Sequence, residues 1–358
     1  MSMEMIVKII LSAFGSFVII ATALPLFRHE DWWIRIFDFP RLQLIIAALI
    51  IAGVFIFFWN TKSAWENILF FLLSLAILHQ GYRIFPYTPF AAKQALTSDK
   101  SRSDSSLSLM ISNVLMTNRN AEKYLASVKN ADPDIFLAAE TDAWWAEQLK
   151  ALEKKYEYAV KYPLENTYGM MLFSRLKLVQ PEVKFLVEPE VPSIHTLVEL
   201  KSGELIELHC LHPKPPFPSE STETTERDAE LLLVGKKAKD SKRPVVVAGD
   251  LNDVAWSYTT KLFQAVSKLL DPRIGRGMYN SFHAGRFLMR FPLDHVFHSN
   301  HFKLIQIKKL PEVGSDHFPI YIELSYEPQA QKEQPQPVAE PEDREEGDEK
   351  IEKARRMN

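Results

Sequence analysis

Pro244-Val245-Val246-Val247-Ala248-Gly249-Asp250-Leu251-Asn252 reads as a buried strand that stops on polar chemistry. An unbroken apolar run suits a strand covered on both faces, as in the middle of a sheet. Gly-Asp-x-Asn alone is commonly a turn. Its weight comes from repetition elsewhere in the chain. The apolar run Leu107–Ser112 is followed by Asn113, and Asp134-Ile135-Phe136-Leu137-Ala138-Ala139 is followed by Glu140. Gly314-Ser315-Asp316-His317-Phe318-Pro319 stands directly before the run Ile320–Leu324. In layered α/β folds, residues at strand ends gather along one edge of the sheet. These four places therefore predict a single polar site.

Around them, strand-like and helix-like pieces alternate from Ser106 to Leu324. Strands are expected at Ile135–Ala139, Glu204–Leu211, Val245–Ala248, His295–His298, Phe302–Ile307 and Ile320–Leu324. Helical spacing marks Ala121–Val128, Trp144–Tyr156, Thr224–Lys239 and Thr259–Leu270. The mixture indicates an α/β (α+β) domain of layered sheets and helices.

The sequence before this domain has membrane composition. Met5–Leu24 is long enough to cross a bilayer, with one charge, Lys8, near its start. Ala21-Thr22-Ala23 imitates a signal-peptidase site, but further membrane sequence follows, so an uncleaved anchor is expected. Leu42–Trp59 contains no charge. Ile68–Leu78 is short. Extended to Phe85 it can span, although His79, Gln80 and Arg83 weaken it, and a re-entrant or interfacial segment is the alternative. Trp32 and Trp33 beside Arg35 and Arg41 suit a membrane–water interface. Asn60–Glu66 is a tight polar link that predicts a helical hairpin. The expected organisation is a transmembrane region of two or three helices over 1–90, a linker over 91–105, a catalytic domain over 106–326 and a disordered charged tail over 327–358, with a short helix near Ile351 as the alternative for the tail. Because every candidate site residue follows the linker, a unit from about Ser105 to Glu327 is expected to fold alone.

The net charge of −3 across 358 residues supplies no general attraction to polyanions. The one cysteine, Cys210, excludes an intramolecular disulfide and sits in a strand-like run, as a buried structural thiol would. Zinc has little support without a Cys cluster or His-Glu-x-x-His. Ser174 and Ser315 lie outside any Gly-x-Ser-x-Gly, which disfavours a serine hydrolase.

The polar set suits phosphate-ester hydrolysis. A hard cation such as Mg2+ takes oxygen ligands, and Glu140 and Asp316 supply carboxylates. Asp250 and His317 are both candidates to orient and deprotonate a water, with Asp294 as the acid behind the histidine. Asn113, Asn252 and His212 can donate to developing negative charge.

Taken in order, Ser112-Asn113-Val114, Pro133-Asp134-Ile135 leading to Glu140, Gly169 leading to Ser174-Arg175, Leu211-His212-Pro213, Gly249-Asp250-Leu251-Asn252, Leu293-Asp294-His295-Val296-Phe297 and Ser315-Asp316-His317-Phe318-Pro319 resemble the endonuclease/exonuclease/phosphatase superfamily. The resemblance implies a four-layer sandwich of two mixed sheets with helices outside. It implies Glu140 as the principal metal carboxylate with Asn113 beside it, and Asp316 as a second metal-site or phosphate-site carboxylate. Asp250 then positions or deprotonates the water, and Asn252 and His212 contact the phosphate. His317 is base or phosphate contact, oriented by Asp294. Mg2+ is the implied cofactor, with Mn2+ as a substitute. The membrane helices together with these motifs also resemble bacterial membrane members, which implies a multi-pass protein of the inner membrane. The count of positive charges leans toward a cytoplasmic catalytic domain and a short N-terminus leans against it, so the side stays open.

The leading expectation is thus a membrane-anchored, metal-dependent phosphoesterase. Its substrate is nucleic acid, with Arg175, Arg286 and Arg290 as basic contacts, or alternatively a lipid headgroup or inositol phosphate. The competing class is a membrane signalling module that keeps the fold without the chemistry.

Overall fold

The computed structural model describes residues 1–217 and 220–357. It opens with four helices, α1 (Met3–Ala23), α2 (Trp32–Arg35), α3 (Arg41–Ile56) and α4 (Ala64–Ile84). With the turns that continue them, α1 and α4 make apolar helices of 25 and 24 residues, each long enough to cross a bilayer. α3 has 16 residues. Joined to the segment Trp32–Asp38, from which it bends by 71°, it makes a third candidate span.

The segment Ile68–Phe85 is therefore part of a long helix and not a short one. Its weakening polar residues have partners. Gln80 accepts from Arg41 at 2.8 Å and donates to Thr22 at 3.1 Å, and Arg83 donates to the Trp256 carbonyl at 2.7 Å. Internal pairing of this kind lowers the cost of polar groups in an apolar bundle. The predicted hairpin forms, closed by Trp59 and Asn60 bonding to Asn67 and Glu66. Lys8 meets Glu66 near the start of both helices, while Thr22 meets Gln80 near their ends. α1 and α4 thus run in the same direction, and the N-terminus lies at the far end of the bundle from the catalytic region.

The catalytic region follows as β1 (Ser106–Asn113), α5 (Ala121–Ala131), β2 (Ile135–Ala139), α6 (Ala143–Leu149), β3 (Tyr158–Tyr162), β4 (Met170–Ser174), β5 (Lys177–Lys184), β6 (Ser193–Glu199), β7 (Leu205–Leu211), α7 (Thr225–Asp240), β8 (Val245–Asp250), α8 (Tyr258–Ser267), β9 (Asp294–His298), β10 (Phe302–Lys309), β11 (Ile320–Tyr326) and α9 (Pro341–Met357). One sheet runs β10-β11-β1-β2-β4-β3 and the other β5-β6-β7-β8-β9. Their inner faces meet in one core, where Leu109, Ile111 and Leu137 face Leu208, Val246 and Val296. Tyr124 and Trp145 of α5 and α6 cover the outer face of the first sheet, and Leu231 and Phe263 of α7 and α8 cover the second. The result is the four-layer sandwich expected. Cys210 is fully buried in β7, where burial pushes its thiol up and leaves it inert.

Three expectations need correction. The helix from Trp144 stops at Leu149 and tightens into a 3₁₀ turn by Leu152. The linker is packed along the edge of the first sheet, where Ser98 and Leu304 exchange a backbone bond of 2.8 Å. The C-terminal tail is ordered. α9 lays Ile351 and Ala354 against Leu232, Leu262 and Val266 of α7 and α8. Two apolar side chains on one face were too weak a signal in so charged a stretch; the surface they cover is visible only in the fold.

α9 also carries Lys350, which is buried and bonds Glu30 at 2.6 Å and Asp228 at 3.2 Å. Burial pulls the Asp228 carboxyl up, but Arg227 and Lys350 outweigh it and hold it well below the usual range. Removing one partner from a buried ionic cluster leaves charge uncompensated. Lys350→Met is therefore expected to cost about 3 kcal/mol, read as a fall in the denaturation midpoint of the detergent-solubilised protein. An unchanged midpoint would mean that Arg227 neutralises Asp228 unaided.

Candidate active site

β1 and β2 are parallel neighbours, and so are β7 and β8, so their C-terminal ends deliver side chains to one edge of the sandwich. Asn113 ends β1, Glu140 follows β2, His212 follows β7, and Asp250 ends β8. β9 is antiparallel to β8 and sets Asp294, at its start, opposite Asp250. His317 sits in the turn before β11, which returns antiparallel to β1. All eight predicted residues except Asp294, which lies buried behind His317, line one cavity of about 650 Å³.

Backbone geometry aims two of them. Glu140 and Asn252 adopt left-handed conformations, with φ of 58° and 51°. A non-glycine residue pays a local strain there, a feature that clusters at functional sites. Gly249 has φ of 148°, and a Cβ on it would lie 1.9 Å from the Leu211 carbonyl oxygen. Only glycine lets β7 and β8 approach so closely just before Asp250.

Asp250 is the point on which the donors converge. Its carboxylate receives the Asn113 amide at 3.1 Å and the Asn252 backbone N–H at 3.1 Å. His317 Nε2 lies 3.5 Å from it and His212 Nε2 3.8 Å. Asn113 also donates to Glu140 at 2.7 Å, and the Met116 N–H reaches the other Glu140 oxygen at 3.2 Å. The Leu115 N–H donates to Asn113 Oδ1 at 2.9 Å, which fixes the amide so that its nitrogen faces the two carboxylates. Asn113 as arranged holds Glu140 in place. Asn252 spends one amide hydrogen on the Pro213 carbonyl and keeps the other.

His317 Nδ1 bonds Asp294 at 2.8 Å, and the Asp294 N–H in turn donates to Ser281 at 3.0 Å. Burial pulls the His317 pKa down, but the carboxylates of Asp250 and Asp294 outweigh it and raise it to about 10. In metal-free protein this pair stabilises the fold most below about pH 6.5, the ordinary histidine value, and the contribution disappears as pH rises through about 10. Comparing the wild type with His317→Gln in chelator, the stability gap is expected to close across that range. A gap that widened with pH would reverse the sign and refute the charged pair.

Asp250, Asp294 and His317 offer ligand atoms within 4.8 Å of one another. The bond from Asp294 to His317 reads instead as a carboxylate orienting an imidazole. The all-oxygen carboxylates of Glu140 and Asp316, both half-buried on the cavity wall, suit a hard divalent cation.

The serine alternatives dissolve. Ser174 Oγ is turned to the Leu176 carbonyl, and Ser315 Oγ donates to Asn113 O while accepting from the His317 N–H. Of the three arginines expected at the site, only Arg286 lines the cavity. Arg175 is held by Asp132 and Tyr156, and Arg290 lies over the rings of Phe287 and Phe318. His295 and His298 are buried strand histidines in β9. Among the wall residues that the sequence reading did not single out are His283 and Tyr168, whose hydroxyl donates to Glu220 at 2.8 Å. Tyr168 directly precedes the Gly169 already marked as a motif residue, the one signal that pointed to it.

Comparisons with known proteins place the fold. The fold resembles an endonuclease/exonuclease/phosphatase from Beutenbergia cavernae (17% identity, TM-score 0.51, covering 62% of this chain and 72% of that one). It also resembles TDP2 of D. rerio complexed with a single strand DNA product (18% identity, TM-score 0.51, 62% and 99%). A third likeness is the human Nocturnin catalytic domain with bound sulfate (18% identity, TM-score 0.51, 66% and 97%). Comparison with curated proteins gives no match. Residues 110–317, more than half the chain and reaching from β1 to His317, match the model of the Endonuclease/Exonuclease/phosphatase family. The chain belongs to that family, whose enzymes hydrolyse phosphate esters.

Proposed function

We propose that the chain is a membrane-anchored, Mg2+-dependent phosphoesterase, with residues 1–90 as the anchor and 106–326 as the catalytic unit. The convergence of Asn113, His212, Asn252 and His317 on Asp250 carries this reading. Bound at Glu140 with Asp316, a divalent cation would neutralise phosphate charge. Mn2+ fits the same oxygens. Asp250 takes the proton of the attacking water. His317, oriented through Nδ1 by Asp294, presents its other ring nitrogen to a phosphate oxygen as a donor. Asn252 and His212 donate to the same oxygens. Since every one of these groups is present and mutually placed, a module that has lost its chemistry is disfavoured.

The experiment is hydrolysis of bis(p-nitrophenyl) phosphate by the full-length protein with Mg2+. Turnover that stops in chelator and returns with Mg2+ or Mn2+ supports the proposal. Turnover indifferent to chelator removes it.

A further inference from the structure

The catalytic cavity has a second wall that phosphate chemistry does not require. Opposite Asp250 it is built by Ile36, Phe37, Phe39 and Pro40, from the connection between α1 and α3. These four residues belong to the helical region and lie outside the sandwich. Their position is fixed from both sides. The Trp256 indole donates to the Asp38 carbonyl at 2.7 Å, and Trp32 N–H donates to Thr222 O at 3.0 Å. Phe282, Met289 and Phe291 continue the apolar surface.

The rim points the same way. Phe287 and Leu288 form the tip of the loop beside Arg286 and are 78% and 75% exposed. That tip is tied to the apolar helix, since Gln43 of α3 donates to the Leu288 carbonyl at 2.8 Å. Phe217, also on the wall, is exposed as well. Apolar side chains of this size in water mark a contact surface. Here they lie between the apolar helix α3 and the loop that carries Arg286 and Met289 of the cavity wall. Among the described residues the cavity lining carries one arginine, Arg286, which gives little charge for a nucleic-acid backbone.

We infer that the substrate is an amphiphilic phosphate ester drawn from the bilayer. Its phosphate lies at Glu140, Asp250 and His317, and its hydrocarbon chain lies against Phe37, Phe39 and Met289. Water adds to phosphorus, the ester P–O bond breaks, and the leaving oxygen departs with a proton. This inference rests on the phosphoesterase reading above.

The test uses full-length protein in phosphatidylcholine nanodiscs with Mg2+ and compares methyl p-nitrophenyl phosphate with decyl p-nitrophenyl phosphate. The decyl ester is expected to show kcat/KM at least roughly tenfold above the methyl ester, from burial of the chain. Phe37→Ser combined with Met289→Ser is expected to bring that ratio toward unity, while Asp250→Asn lowers turnover of both esters by the same factor. A wild-type ratio near unity, a ratio unmoved by the wall substitutions, or faster cleavage of a single-stranded oligonucleotide overturns the lipid assignment and leaves the phosphoesterase standing. No turnover of any of the three substrates overturns the phosphoesterase reading, and the lipid assignment with it.

Discussion

Asp250→Asn is expected to lower turnover of any accepted phosphate ester by about 10²–10⁴-fold with the fold intact. The change is isosteric, and the Asn252 N–H still finds an oxygen to bond. What it removes is the proposed base, together with the negative charge beside His317 that raises its pKa. Glu140→Gln should cause a comparable loss for a different reason. Its amide is a poorer ligand for a hard cation, and the Asn113 amide that donates to Glu140 at 2.7 Å would face a neutral partner. The two can be separated. Raising the Mg2+ concentration should restore part of the Glu140→Gln activity and none of the Asp250→Asn activity. Full activity in Asp250→Asn, at any metal concentration, would sink the assignment of the base.

The second large effect concerns the boundary of the catalytic unit. A chain cut to Ser105–Glu327 is expected to unfold or aggregate, or at best to melt far below the full protein. Trp256 is buried against the helical region with Tyr87, Phe39 and Ile45, and the Tyr87 hydroxyl donates to the Ala255 carbonyl. The cut also removes α9 and with it Lys350 from Asp228. Exposing two large aromatic surfaces and stripping a buried cation together cost on the order of 5 kcal/mol, much of the margin of a typical domain. Trp256→Ala in the full chain should reproduce part of this, about 3–5 kcal/mol. Equal melting midpoints for the cut and full chains in the same detergent would show that the sandwich stands alone, as the sequence pattern suggested.

Local signals located most of the polar residues that meet in the candidate site. An apolar run ending in Gly249-Asp250, or Ile135–Ala139 ending in Glu140, carries its own explanation: a strand buried on both faces has nowhere to put a carboxylate until it leaves the sheet. The same logic gave Asn113 and His317, and with them the edge on which all four meet. The four strands from Tyr158 to Glu199 were not legible. β4 is a short apolar run whose two methionines and leucine suit a helix as well as a strand, and β5 lies at a sheet edge with mostly polar side chains and no alternation.

Other features exist only in the assembled molecule. Whether His317 carries its proton depends on Asp250 and Asp294 standing on either side of it, and these come from strands paired across the sheet. The order of α9 depends on the surface of α7 and α8 that receives it. Tertiary structure also decided what closes the cavity. Ile36, Phe37 and Phe39 carried no signal of their own in the sequence, because an apolar side chain carries no mark of which surface it will cover. Only the packing of the helical region onto Trp256 turned them into a wall of the site. Strand-end carboxylates are written in the local pattern, since burial forbids them elsewhere; the apolar wall is set by long-range packing, which the local pattern does not encode.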